Sequence, residues 1–141
     1  MITLKITMKR LAAGALAFAA VPAMAAETGG QPAPVNEYLE LKPAFVTNYG
    51  GPGPIHFLKA DITLRLTKDE QAAPEVDHHM PFLRHELVML LSRQTEESLA
   101  TADGKEKLRT EALAAVQKVM RDETGKPQID DLLFTNFVVQ Q

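Results

Sequence analysis

The chain contains no cysteine. That excludes a disulfide framework, a thiolate-held zinc and a thiol nucleophile. A basic tract is missing as well: the formal charge of the 141-residue chain is −3. Phosphate neutralisation dominates nucleic-acid affinity, so no nucleic-acid partner is expected. A helix that crosses a bilayer needs about 20 apolar residues. The apolar run Leu11 to Val21 is stopped by Pro22 well short of that.

Catalytic motifs are equally sparse. Ser92 and Ser98 are the only serines, and neither lies in a Gly-x-Ser-x-Gly turn. His85-Glu86 begins like the zinc-peptidase helix motif, but the second histidine it needs four residues on is replaced by Met89. The Gly-rich stretch Asn48 to Pro54 precedes a strand pattern, whereas a phosphate loop opens a helix. It reads as a turn. Asp77-His78-His79, with His85 and Glu86 further on, is the best metal candidate. Adjacent histidines diverge by about 100° on a helix, so a solvated helix start is the better reading. The acidic pairs Glu96-Glu97 and Asp130-Asp131 are consecutive and diverge in the same way, which makes them poor acid–base pairs. No cofactor, metal or catalytic residue is assigned, and the chain reads as a non-enzyme.

What is present begins with an export segment. Lys5, Lys9 and Arg10 precede Leu11 to Val21, and Ala23-Met24-Ala25 supplies a small-x-small site. This is the layout of a secretory signal peptide over residues 1–25, cut between Ala25 and Ala26. Its loss would take the charge to −6. Residues 26–37, rich in Gly and Pro, read as a flexible leader. Hydrophobic residues at 45% and charged residues at 23% suit one globular domain, placed at 38–141.

Within that domain the periodicities predict β-β-α-α-β. Tyr38 to Thr47 alternates as a strand, with Pro43 marking an edge or a bulge. Leu58, Ala60, Ile62, Leu64 and Leu66 alternate with polar residues, giving a strand with one dry face. The two strands should pair antiparallel. Pro74 to Gln94 reads as one helix, with Asp77 as its N-cap and Leu83, Leu87, Leu90 and Leu91 as its stripe. Thr95 to Asp103 reads as a polar connector. Lys105 to Asp122 is a second helix with Leu108, Ala112, Val116 and Val119 on one face, stopped by Gly125 and Pro127. Ile129 to Gln140 is a final strand. Alternation puts Leu132, Phe134 and Val138 on one face and Leu133, Phe137 and Val139 on the other. Two apolar faces predict a central strand, and Phe134 and Phe137 become the candidate interaction surface. The class is α+β, a small sheet with two helices packed on one face.

Several local patterns occur in a telling order. They are Tyr38-Leu39-Glu40-Leu41-Lys42-Pro43, Phe57-Leu58-Lys59-Ala60-Asp61-Ile62, and a helix ending Leu90-Leu91-Ser92. Thr101-Ala102-Asp103-Gly104-Lys105 and the ending Leu133-Phe134-Thr135-Asn136-Phe137 follow. In this combination the chain resembles the FliL family of flagellar basal-body-associated proteins. The resemblance implies a periplasmic domain similar to the stomatin-type fold. It also implies self-association, contact with flagellar stator and basal-body proteins, and support of motility and chemotaxis. No catalysis is implied. The family ordinarily has a spanning helix, where this chain has a signal peptide and at most peripheral membrane association is expected. Two other readings stay open: a soluble periplasmic binding or envelope-maintenance module of the same fold, and a metal-dependent enzyme if His78, His79 and His85 converge.

Overall fold

Strand β2 (His56–Leu66) is the middle of the sheet and carries its strongest pattern. Leu58, Ala60, Ile62, Leu64 and Leu66 are all fully buried, as the alternation predicts. Burying each of the large ones is worth about 1.5–3 kcal/mol. A one-residue slip would turn all five to solvent, so the register is held by the core rather than by the turns. The computed structural model describes residues 37–140 of the chain. The expected signal peptide, with its Ala25–Ala26 site, and the leader up to residue 36 lie outside them.

β1 (Tyr38–Tyr49) and β3 (Ile129–Gln140) flank β2, both antiparallel to it, in the order β1-β2-β3. β1 is an edge strand. Leu41 opposes Ile62 and Phe45 opposes Ala60, so the intervening Lys42, Pro43 and Ala44 form the irregularity expected at Pro43. The Lys42–Pro43 peptide is cis. Leu41, Phe45 and Tyr49 are buried on the same side as the dry face of β2.

The expected central place of β3 is corrected: β3 is the other edge. Its side chains also do not alternate strictly. Arg65 opposes Asp131 while Leu66 opposes Ile129, so Asp130 is an extra residue; Asp61 opposes Asn136 while Ile62 opposes Phe134, so Thr135 is another. Each bulge shifts the phase by one. The residues facing the helices are therefore Ile129, Leu132, Phe134, Phe137 and Val139. Asp61 holds the second bulge, with its carbonyl accepting from Thr135 Oγ1 at 3.3 Å and its carboxylate accepting from Asn136 Nδ2 at 3.0 Å.

The expected single helix is two. α1 (Ala72–His78) ends at His79, and α2 (Met80–Ser92) begins there. Pro81 explains the break, because it lacks an N–H and its ring would press on the carbonyl four residues back, that of Asp77. Pro81 sits in the first turn of α2, where a missing N–H costs nothing. Asp77 is therefore not an N-cap. It lies in the last turn of α1 and is exposed. The connector also contains a short helix, α3 (Glu96–Ala100). Thr95 Oγ1 accepts from the Ser98 N–H at 3.1 Å and Ser98 Oγ accepts from the Thr95 N–H at 3.1 Å, a reciprocal capping box.

α4 (Ala102–Thr124) starts on Thr101, whose Oγ1 accepts from the Gly104 N–H at 3.0 Å. It ends at Gly125, where φ is 80° and the N–H donates to the Arg121 carbonyl at 2.9 Å. Only glycine adopts that φ without cost. Leu108, Ala112, Val116 and Met120 are buried, and Val119 packs half-buried beside them. α2 lies on β1 and α4 on β3, so the two long helices cover the dry face of the sheet. The α+β class and the β-β-α-α-β order stand, with α1 and α3 as short additions.

A candidate interaction surface

α4 fixes β3 by polar as well as apolar contacts. Arg109 donates to Asp131 at 2.6 Å, to the Leu132 carbonyl at 3.3 Å and to Glu106 at 2.5 Å. Gln117 Nε2 donates to the Ile129 carbonyl at 2.9 Å. The Glu106 hydrogen bonds hold the Arg109 guanidinium above its usual range, with Asp131 adding attraction. The same bonds hold the Glu106 carboxyl below the usual carboxylate range. These contacts fix the first turns of α4 and its middle against the opening residues of β3, Ile129 to Leu132.

Phe134 and Phe137 lie just beyond those contacts along β3. They were expected on opposite faces, but the Thr135 bulge puts both on the helix side, with ring centroids 5.0 Å apart in an edge-to-face pair. Both are half-buried against the core. Lys105 Nζ stands 5.7 Å from the Phe137 ring. Phe134 and Leu133, with Ala102, Lys105, Glu106 and Arg109, border a shallow depression at the outer edge of β3. Among the described residues no strand pairs with the outer edge of β1 or of β3. Both therefore present backbone N–H and C=O groups that another strand can use.

The far face of the sheet carries a second apolar area. Val46 opposes Lys59, which opposes Val138, and Phe57 lies diagonal to both. Val46 is 64% exposed, Phe57 45% and Val138 41%. They line a depression of about 350 Å³. Leu133 is exposed on the same strand. Sequence reasoning missed Val46 and Phe57 as surface residues; the available signal was that both occupy the wet positions of otherwise alternating strands. Exposed apolar residues that touch across strands mark an interaction face.

The metal candidates are not brought together. His78 and His79 stack edge-to-face with ring centroids 4.9 Å apart, and His79 also lies 6.4 Å from the Phe82 ring. His85 is exposed on α2, with Glu86 beside it. Among the described residues no three His, Asp or Glu side chains converge on a point where a metal would sit. Nor is any described helix long and apolar enough to cross a membrane. The features that stand out are surfaces: two open strand edges, the apolar far face, and the half-exposed aromatic pair at the β3 edge.

Comparison with known proteins agrees with that emphasis. The family model described as "Flagellar basal body-associated protein FliL" matches residues 38–140. The flagellar protein FliL of Aquifex aeolicus is 28% identical over 109 residues, which cover 77% of this chain and 65% of that protein. The flagellar protein FliL of Escherichia coli K12 is 31% identical over 109 residues, covering 77% of this chain and 67% of that protein. The chain thus spans about two thirds of the length of these relatives.

Proposed function

The chain belongs to the FliL family of flagellar basal-body-associated proteins, and from that premise we propose that it is a non-catalytic accessory of the flagellar motor, acting in the periplasm in support of motility and chemotaxis. One observation carries the reading: the family match runs from the first residue of β1 to the last of β3, so it embraces every element described above. The residues support a role in contact rather than in chemistry. The conspicuous features of the domain are open edges and apolar area, the materials from which subunit contacts are made.

In this reading copies of the chain associate through the β3 edge, where Phe134 and Phe137 present their exposed flanks beside Leu133, and the stator or basal-body proteins are the further partners. The N-terminal segment acts as a secretory signal cut between Ala25 and Ala26, which delivers the domain to the periplasm. The acidic balance of the mature chain limits non-specific association with other envelope components.

An in-frame deletion scored for swimming tests the motor role. Reduced swimming with assembled flagella, restored by the full chain in trans, is the expected outcome. Normal swimming in a strain with no second gene of the family would remove it. Mass spectrometry of the protein from the envelope fraction reads the terminus directly: Ala26 as first residue is expected, and an intact Met1 or Met8 would refute the export reading. Sedimentation of the purified chain reports self-association, and a monomer at all concentrations would count against the β3-edge contact.

A further inference from the structure

The outward side of α2 is not explained by the core. Phe82, His85, Glu86 and Met89 follow one another at helical spacing on that side. Phe82 is 55% exposed and Met89 43%. Residues seven apart on a helix are about 10.5 Å apart along its axis. Between α2 and α4 runs a groove of about 430 Å³ whose apolar floor is Phe82, Ala115 and Val119.

The rim of the groove is charged and unbalanced. Lys118 and Asp122 pair at 2.5 Å and neutralise one another. Glu86 and Glu123 remain, and His85 stands at the same rim. Among the described residues neither Glu86 nor Glu123 makes an ion pair within 4.0 Å. The Lys118 ammonium is held above its usual range first by the Asp122 hydrogen bond and then by attraction that includes Glu86. Glu86 and Lys118 both line the groove, from α2 and α4 respectively.

We propose that the α2–α4 groove is a docking site for an amphipathic helix of a partner protein, one that presents a large apolar side chain flanked by lysine or arginine. The groove selects a helix because its walls are helices whose backbone N–H and C=O groups are already used internally. An extended segment laid there would find no partners for its own backbone, whereas a helix brings its hydrogen bonds with it. The charge selects a basic flank, since Glu86 and Glu123 reward a cation above an apolar anchor and the stems of lysine or arginine cover apolar floor. The same carboxylates oppose an anionic membrane surface, which attracts basic segments and repels acidic ones. This site lies on α2 and α4 and does not depend on association through the sheet edge or on the motor assignment.

The test uses the full chain and a fluorescent leucine–lysine peptide built as an amphipathic helix, with a leucine–glutamate twin as its counterpart, read by fluorescence anisotropy. The lysine peptide should bind and the glutamate twin should not. Phe82→Ala should weaken binding about thirtyfold, as for a central anchor. Glu86→Gln with Glu123→Gln should weaken it about tenfold and flatten its salt dependence, as expected of charges at a rim. Glu97→Gln with Glu111→Gln removes the same charge away from the groove and should leave affinity unchanged. All these side chains are exposed or half-exposed, and circular dichroism checks that each variant keeps its fold. Equal binding of both peptides, an unchanged affinity in the two groove variants, an equal loss in the control pair, or stronger binding to dioleoyl phosphatidylglycerol vesicles than to the lysine peptide would each overturn the proposal. A swimming defect, or its absence, bears on the motor role alone.

Discussion

Replacing Gly104 with alanine adds one methyl group at the third residue of α4. In an exposed helix this change normally stabilises, by about 0.5–1 kcal/mol, because it removes the backbone entropy that glycine loses on folding. Here the opposite sign is expected. A Cβ at position 104 would lie 1.9 Å from the Ser98 carbonyl oxygen, 2.8 Å from the Ser98 carbonyl carbon and 3.0 Å from Thr101 Oγ1. Backbone cannot rotate aside, so either α3 moves or the first turn of α4 opens. Moving α3 disturbs the Thr95–Ser98 box and the buried Leu99. Opening α4 gives up the Thr101 cap. Overpacking of this kind costs about 1–3 kcal/mol, which leaves a net loss of about 1–2 kcal/mol after the helix-propensity gain. A fall in Tm of about 5–15 °C follows for a domain of this size. Urea unfolding followed by far-UV circular dichroism measures it directly. Ala114→Gly, at an exposed mid-helix position of α4, serves as the reference and should cost about 0.5–1 kcal/mol. If Gly104→Ala leaves stability equal to or above that of the unmodified chain, α3 and α4 do not approach as closely as described and the reasoning fails.

Other perturbations test other links. Thr101→Ala removes the oxygen that accepts from Gly104 and should cost about 1 kcal/mol by the same unfolding assay, while Thr101→Ser should cost less. On acidification, two carboxylates are informative. Asp69 is held below the usual range by the Gln71 N–H and then by Lys126, and Glu106 by its Arg109 hydrogen bonds. Depressed folded values mean that their contribution is present above the unfolded carboxylate range and is lost as pH falls through the folded values, below about pH 4. Asp69→Asn and Glu106→Gln should each flatten the acid limb of a stability–pH curve; a limb of unchanged slope in both would refute the assignment. Val138→Lys, at a 41% exposed site on the far face, should leave Tm within a degree or two while lowering any self-association that uses that face. Sedimentation velocity across a concentration series decides it.

Legibility of this chain followed the regularity of each element. β2 is regular, and its five buried residues could be read directly from alternation. α4 is long and uninterrupted, and its stripe and its Gly125 stop could be read in the same way. The helix over 74–94 could not be read whole, because Val76 and Leu83 stand at helical spacing on either side of Pro81 and mask the steric rule that ends a helix there. α3 was hidden because serine takes the place that glutamate usually fills in a capping box. β3 was misread for a sharper reason. Strict alternation assumes one residue per step, and two bulges break that assumption, so Phe134 and Phe137 moved to a common face. The surfaces were harder still: the α2–α4 groove arises from residues about 30 positions apart in the chain, and no local pattern announces it.

Those two bulges bear on how the chain can change in length. Asp130 and Thr135 are surplus residues, each set against no counterpart on β2. Removal of either would leave every apolar side chain of β3 on its present side. An insertion elsewhere in the strand would instead turn the residues beyond it inside out. Relatives that differ in length along this strand should therefore gain or lose residues at those two places. The cost would be one of curvature, since a bulge bends its strand and tightens the local twist. A version of β3 without Thr135 would run straighter, and the aromatic pair that flanks it would meet the start of α4 at a different angle.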